Sequence, residues 1–223
     1  MNIEQEISHQ QQRAFQPQKL SAPRDFIIPK IIQDNANHHS EKSSLILEIG
    51  AGKGKHALSF AKAYPNKQLL AIERTRNKFE AFTKLAMQQH SSNLYPIHAD
   101  AIAWVVHALA PHSLASIYIL YPNPEQHNPN QQWLNMPFFE FLLSRLQEGG
   151  EVILATNIED YIDNAEIKSK DVWQLPTIRS EVPIDSQRTH FEIKYLARGE
   201  TCWQLTMTKP KDYKTRFDMW QVR

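Results

Sequence analysis

The sequence holds one cysteine, Cys202, so it can build neither a disulfide framework nor a cysteine-based zinc site. A chain this poor in thiols suits a reducing interior. No apolar run reaches the ~18 residues of a membrane-spanning helix. The opening MNIEQEISHQQQ is polar and lacks the apolar stretch of a secretion signal. These absences give the expectation of a soluble, cytoplasmic protein with no membrane and no metal partner, working as a monomer or homodimer. A dominant charge is missing too: 25 basic and 24 acidic side chains leave a formal charge of +1. Nucleic-acid binders usually show a basic excess or patch, so any phosphate-binding surface here has to be local. What is present suffices for a core. With 41% hydrophobic and 22% charged residues, 223 residues fit one ordinary domain and exclude global disorder.

Residues 1–20 are polar and rich in Gln and read as a mobile arm ahead of a single domain at 21–223. Residues 34–43 form a polar link. Within it, His38 and His39 adjoin, but without a third ligand nearby they read as a solvated loop. Regular alternation follows. Short apolar strands are expected at Leu45–Ile49, Gln68–Ile72, Leu94–Ile97, Ser116–Tyr121 and Glu151–Ala155. Helices are expected between and after them, at His56–Ala63, Asn77–Gln89, Ile102–Leu109, Pro137–Leu146 and Ile158–Ala165. In the second helix Phe79, Phe82, Leu85 and Ala86 share a face. Such alternation implies right-handed crossovers and a mostly parallel sheet covered on both sides. The end changes character: His190–Leu196 and Cys202–Thr208 flank Arg198-Gly199-Glu200, which reads as a hairpin. The tail from Lys209 is mildly basic.

The strongest local signal is Leu47-Glu48-Ile49-Gly50-Ala51-Gly52-Lys53-Gly54, a strand running into alternating glycines with a helix after them. Glycines there permit a tight turn and let a ligand approach the backbone. Glu73 ends the second strand, where a carboxylate can accept from both ribose hydroxyls. Asp100 lies just past the third strand, where it can take a hydrogen bond from an adenine amine. Glu48 can reach a cationic amino-acid end. For each acid alone, an ordinary surface or capping carboxylate is the plain alternative. A nicotinamide dehydrogenase would show G-x-G-x-x-G and a further parallel half. Here Lys55-His56 stand where the third glycine would be sought, and the chain ends in the expected hairpin. The layout resembles the Rossmann-like class I S-adenosylmethionine-dependent methyltransferases: a mostly parallel seven-stranded α/β sheet ending in an antiparallel hairpin.

More closely, the chain resembles the bacterial tRNA (guanine-N7)-methyltransferases, which methylate a guanine in the variable loop of tRNA. The resemblance runs from about Leu45 to Leu205. LEIGAGKG, AIER and HADA are similar to that family's three cofactor motifs. Tyr121-Pro122-Asn123-Pro124 lies where the family has Phe-Pro-Asp-Pro, and Asn157 and Tyr161 lie where it has an acid and a tyrosine. Thr189-His190-Phe191-Glu192 matches its Thr-x-Phe-Glu, and Gly199 a following glycine. The resemblance implies S-adenosylmethionine as cofactor, held by Glu48, Gly50, Ala51, Gly52, Gly54, Glu73, Arg74, Asp100, Ala101 and Tyr121. It implies a tRNA partner, Asn123 at the catalytic position, and His127, Asn157, Thr189 and Glu192 toward the substrate.

The departures all fall on the substrate side. Asn123 and Asn157 replace acids, His127 falls where a lysine is expected, and Glu125 to Trp133 contains no Lys or Arg where the family has a basic run. Guanine N7 carries a lone pair and no proton, so methyl transfer needs no general base, only orientation and electrostatics. Asn123 keeps an acceptor oxygen without the charge, and its NH₂ can donate to O6 or N7. Lys53, Lys55, Arg74, Arg76, Lys78, Lys209, Lys211, Lys214 and Arg216 remain as a basic surface or as solvated charges. Trp133 stacks on a base or belongs to the core. Glu192 accepts from a guanine edge or sits in an ion pair. Two alternatives stay beside tRNA guanine-N7 methylation: a different RNA or small-molecule acceptor, and a cofactor-binding protein without catalysis.

Overall fold

Every residue of the first strand, β1 (Leu45–Ile49), is buried, as a strand with helices on both faces requires. The computed structural model describes residues 13–32 and 44–221. Residues 1–12 of the expected arm and the His38–His39 pair lie outside the described residues. Side chains of β1 alternate between two cores: Leu45, Leu47 and Ile49 join the larger one and Ile46 the smaller. In β2 (Gln68–Glu73), Leu70 and Ile72 face the larger core, Leu69 and Ala71 the smaller. Helices α1 (Lys55–Ala63) and α2 (Arg76–Gln89) close the smaller core with Ala57, Phe60 and Phe82. On α2 only Phe82 is fully buried, and Leu85 is 43% exposed. The larger core is covered by α3 (Ala101–Ala108), α4 (Phe138–Arg145) and α5 (Glu159–Asp171), through Trp104, Phe141 and Ile162 among others.

The remaining strands are β3 (Leu94–His98), β4 (Leu114–Leu120), β5 (Leu146–Thr156), β6 (Thr177–Glu181) and β7 (Trp203–Thr208). They form one seven-stranded sheet in the order β3-β2-β1-β4-β5-β7-β6. The first five pair in parallel, while β7 runs antiparallel to both β5 and β6. Pro96 costs β3 no ladder because β3 is the sheet edge. After β3 the chain returns to place β4 beside β1. Strand order reverses there, and that is where open α/β sheets leave a crevice at their carboxyl ends.

The antiparallel end is real, but its first arm is not His190–Leu196. That segment is a helix, α6 (His190–Leu196), and the partner of β7 is β6. Seven residues are too few for periodicity to separate a helix from a strand. The termini decide it. The Thr189 hydroxyl accepts the Glu192 N–H at 3.0 Å, the bond of a helix N-cap. Gly199, at φ +73°, ends the helix, its N–H on Leu196 O and the Glu200 N–H on Tyr195 O.

The first and last described segments pack on the larger core. Within the span read as an arm, Phe15 sits 5.2 Å from Phe138 and 5.5 Å from Phe141, centroid to centroid, and Leu20 O lies 3.0 Å from His107 Nε2. In the tail, Lys209 is buried and donates to Leu143 O (3.0 Å) and Leu146 O (2.8 Å). Arg216 pairs with the buried Glu140. Lys209 therefore belongs to the interior, not to a basic surface.

Candidate active site

A cavity of about 720 Å³ opens at the carboxyl ends of β1, β2 and β4 and at Asp100 beyond β3. Its floor is the glycine loop. Gly50 and Gly52 have φ of +80° and +59°, and a Cβ at either would meet nothing within 4 Å. Their backbones therefore face open space that a ligand can enter. Gly54 does something else. A Cβ there would lie 1.9 Å from the Phe82 ring, so this glycine presses the loop onto α2 and is not among the lining residues.

Both strand-end acids line this cavity. Glu73 is 5% exposed and is fixed by two backbone donors, Gly52 N–H to Oε2 at 2.8 Å and Thr75 N–H to Oε1 at 2.6 Å. An ionised carboxylate has about four acceptor positions, so two stay available for vicinal hydroxyls. Asp100 caps α3 through Oδ1, which accepts from Ile102 N–H and Ala103 N–H at 3.0 and 3.1 Å. Its Oδ2 has no partner among the described residues. Ala51, Arg74, Ala101 and Tyr121 line the same cavity.

Glu48 also lines it, but its charge is met inside the protein. Oε2 lies 3.0 Å from Nδ1 of His56, both side chains almost fully buried. The His56 ring rests against Tyr118 at 4.8 Å. This partner was missed in the sequence, where His56 is read only as a helix start and as a residue that is not glycine.

Toward the mouth, Tyr121 follows β4 with a left-handed φ of +51°, and its hydroxyl donates to Glu192 Oε2 at 2.8 Å. Burial first, then the contacts with the Cys202 thiol and the Glu192 carboxylate, push the phenol far above its usual range. Asn123 and Thr189 line the cavity; His127, Asn157 and Glu192 do not. Asn157 donates to Glu200 Oε2 at 2.7 Å, and His127 is exposed on the loop. Glu192 is wholly buried, and its oxygens accept from Arg188, Ser186 and Tyr121. Burial opposes its charge, but Arg188 and Ser186 outweigh that and hold the carboxyl below its usual range. Its acceptors are engaged within the protein, so it positions Tyr121 and α6. Trp133 lines the cavity while packing on Phe138 at 6.3 Å, and Tyr161 is a buried packing residue. Lys53, Lys55, Arg74 and Lys78 line the rim. Residue by residue, the cavity suits a nucleoside with a charged amino-acid arm, with room beside it for a second reactant.

This sheet order, with a cavity where the order reverses, is the architecture of class I methyltransferases. An antibiotic-related methyltransferase of solved structure superposes with a TM-score of 0.58 at 14% identity, over 82% of this chain and 95% of that one. Residues 42–205 match the family described as "Putative methyltransferase". A tRNA (guanine-N(7)-)-methyltransferase of Anaeromyxobacter dehalogenans (strain 2CP-C) is 32% identical over 172 residues, 74% of this chain and 85% of that protein. One of Thiobacillus denitrificans (strain ATCC 25259 / T1) is 29% identical over 169 residues, 74% of each. The chain belongs to the tRNA (guanine-N7)-methyltransferase family.

Proposed function

We propose that this protein transfers a methyl group from S-adenosylmethionine to N7 of a guanine in the variable loop of tRNA, in the cytoplasm. One observation carries the reading: the open Gly50–Gly52 backbone shares one cavity with the Glu73 and Asp100 carboxylates, and Asn123 and Thr189 line that cavity too. Glu73 takes the ribose hydroxyls, the free Asp100 Oδ2 the adenine amine, and the Glu48–His56 pair faces the amino-acid end. Bound there, the cofactor supplies an electrophilic methyl on a sulfonium. Guanine N7 presents its lone pair without losing a proton. The chain's task is to orient the base and to offset the positive charge that grows on it. Among the described residues no helix is long and apolar enough to cross a membrane, and no group of three or more His, Cys, Asp or Glu is placed to hold a metal.

Tritiated methyl from labelled cofactor, offered with unmodified tRNA, tests this. Label recovered as N7-methylguanine supports it, and no incorporation where an established family member is active overturns it. A second reading, a different acceptor, is favoured by one feature: residues 122–135 contain no Lys or Arg to meet phosphates. Label appearing instead in another RNA or in a metabolite fraction would select it.

A further inference from the structure

At the cavity mouth, beside Asn123, sits a negative charge that the loop's loss of basic residues obscures. Tyr121 (φ +51°) and Glu125 (φ +47°) are both non-glycine residues in the left-handed region, and they bracket Asn123. Such strain persists only where the surroundings impose it, and it gathers at functional sites. Here the imposition is visible. The Tyr121 N–H is held by Ala155 O at 2.7 Å, Pro124 O accepts Gln132 Nε2 at 3.0 Å, and Glu125 O accepts the Asn128 N–H at 3.0 Å. The outcome is that Asn123 Nδ2 donates to Glu125 Oε1 at 2.7 Å, with both residues lining the cavity.

This bond settles the amide's orientation. The opposite flip would set a carbonyl oxygen against a carboxylate, so one N–H of Nδ2 is held by Glu125 and Oδ1 is free to accept. Glu125 Oε2 has no partner among the described residues. The mouth thus presents an amide oxygen, a carboxylate oxygen and one negative charge. The Glu125 bond takes one of the two Nδ2 N–H donors and turns the Asn123 amide so that Oδ1 is available to a donor edge.

We propose that Glu125 is a specificity-determining residue for the methyl acceptor: with Asn123 it receives the adjacent N1–H and N2–H₂ donors of guanine and supplies the negative charge that position 123 lacks. This rests on the reading of the previous subsection. Guanine offers two neighbouring donors on its pairing edge, whereas adenine has an acceptor at N1. Transfer to N7 makes the ring cationic and its N1–H more acidic. Donation to the carboxylate therefore strengthens toward the transition state, which is what accelerates the step.

The test uses the full-length protein, labelled cofactor, and two tRNA transcripts carrying guanosine or inosine at the methylated position. Inosine keeps N7 and N1–H but lacks the N2 amine. Expected for E125Q is a fall in kcat/KM on guanosine tRNA of about 10²-fold, with cofactor affinity unchanged. Restoring the acid next door, in the double variant Asn123→Asp/Glu125→Gln, recovers at least part of it, which a merely structural role would not. Wild type discriminates against inosine by about tenfold, and E125Q does not. An E125Q variant with wild-type kcat/KM, or with an undiminished inosine penalty, overturns the role of Glu125 and leaves the tRNA reading standing. A wild type that methylates no guanine in tRNA overturns the tRNA reading and this proposal together.

Discussion

Asp100 caps a helix with one oxygen and, in the proposed reading, binds cofactor with the other, and a pair of substitutions separates the two roles. Oδ1 caps α3, while Oδ2 is free to meet the adenine amine. Asp100→Asn keeps a capping oxygen and replaces the second acceptor with a donor. Calorimetry should show a loss of cofactor affinity of tenfold or more, about the worth of a hydrogen bond to a charged group, with the unfolding midpoint nearly unmoved. Asp100→Ala should lose the affinity and also about 1 kcal/mol of stability, because the cap goes with it. Gly54 makes the opposite case. A methyl there meets the Phe82 ring in a left-handed backbone, so Gly54→Ala should cost on the order of 2–3 kcal/mol in urea unfolding. Gly52→Ala meets no atom within 4 Å, so its cost is smaller and backbone strain alone. Three alternating glycines look equivalent as letters. Only the fold shows that two open toward a ligand and one packs against a ring, because Phe82 arrives from a different helix.

Among the elements, β1 to β5 and the helices between them were legible because each carries several coincident signals: an apolar run, a following turn residue, and an alternation that serves two cores. The segment around Glu192 was not. His190–Leu196 is short enough to fit either period, and its hydrogen-bonded N-terminus is what makes it helical. That change of element also changes the meaning of Glu192. A strand residue at the site would offer its carboxylate to a substrate. On α6 the carboxylate is buried and ties Arg188, Ser186 and the Tyr121 hydroxyl together. Glu192→Gln leaves Arg188 without its ion pair and should cost about 3 kcal/mol, the usual penalty for breaking a buried pair. The pH dependence has a definite sign. Glu192 has a lowered folded pKa, so its contribution is fully present above the unfolded carboxyl range near ~4.3 and is lost as pH falls through the lower folded value. Urea unfolding of wild type and Glu192→Gln should therefore differ most at neutral pH and converge on acidification below pH ~4. A difference that stays constant with pH would show that the network does not depend on the charge.

At the level of the whole molecule, nearly balanced charge left any RNA-binding surface illegible, because a count of lysines and arginines ignores where each one goes. The fold takes Lys209 inside as a donor to two carbonyls and commits Arg216 to Glu140. Arg76 is paired with Glu80. The substrate loop compensates for its missing cations only structurally, through amide side chains: Gln132 to Pro124 O, Asn135 to Pro129 O and Asn164 to Gln132. That knitting holds the loop in place without attracting phosphate. Cations that line the cavity remain in Lys53, Lys55, Arg74 and Lys78. If RNA docks there, Lys53→Ala and Lys78→Ala should each weaken tRNA binding and lower the slope of log K against log salt by about 0.7–0.9, the counterion release of one phosphate contact. Lys211→Ala and Lys214→Ala, exposed on the tail away from the cavity lining, should leave that slope unchanged. Filter-binding titrations between low and physiological salt separate the two pairs. Equal slopes for rim and tail variants would mean that the RNA reaches the cavity across some other face.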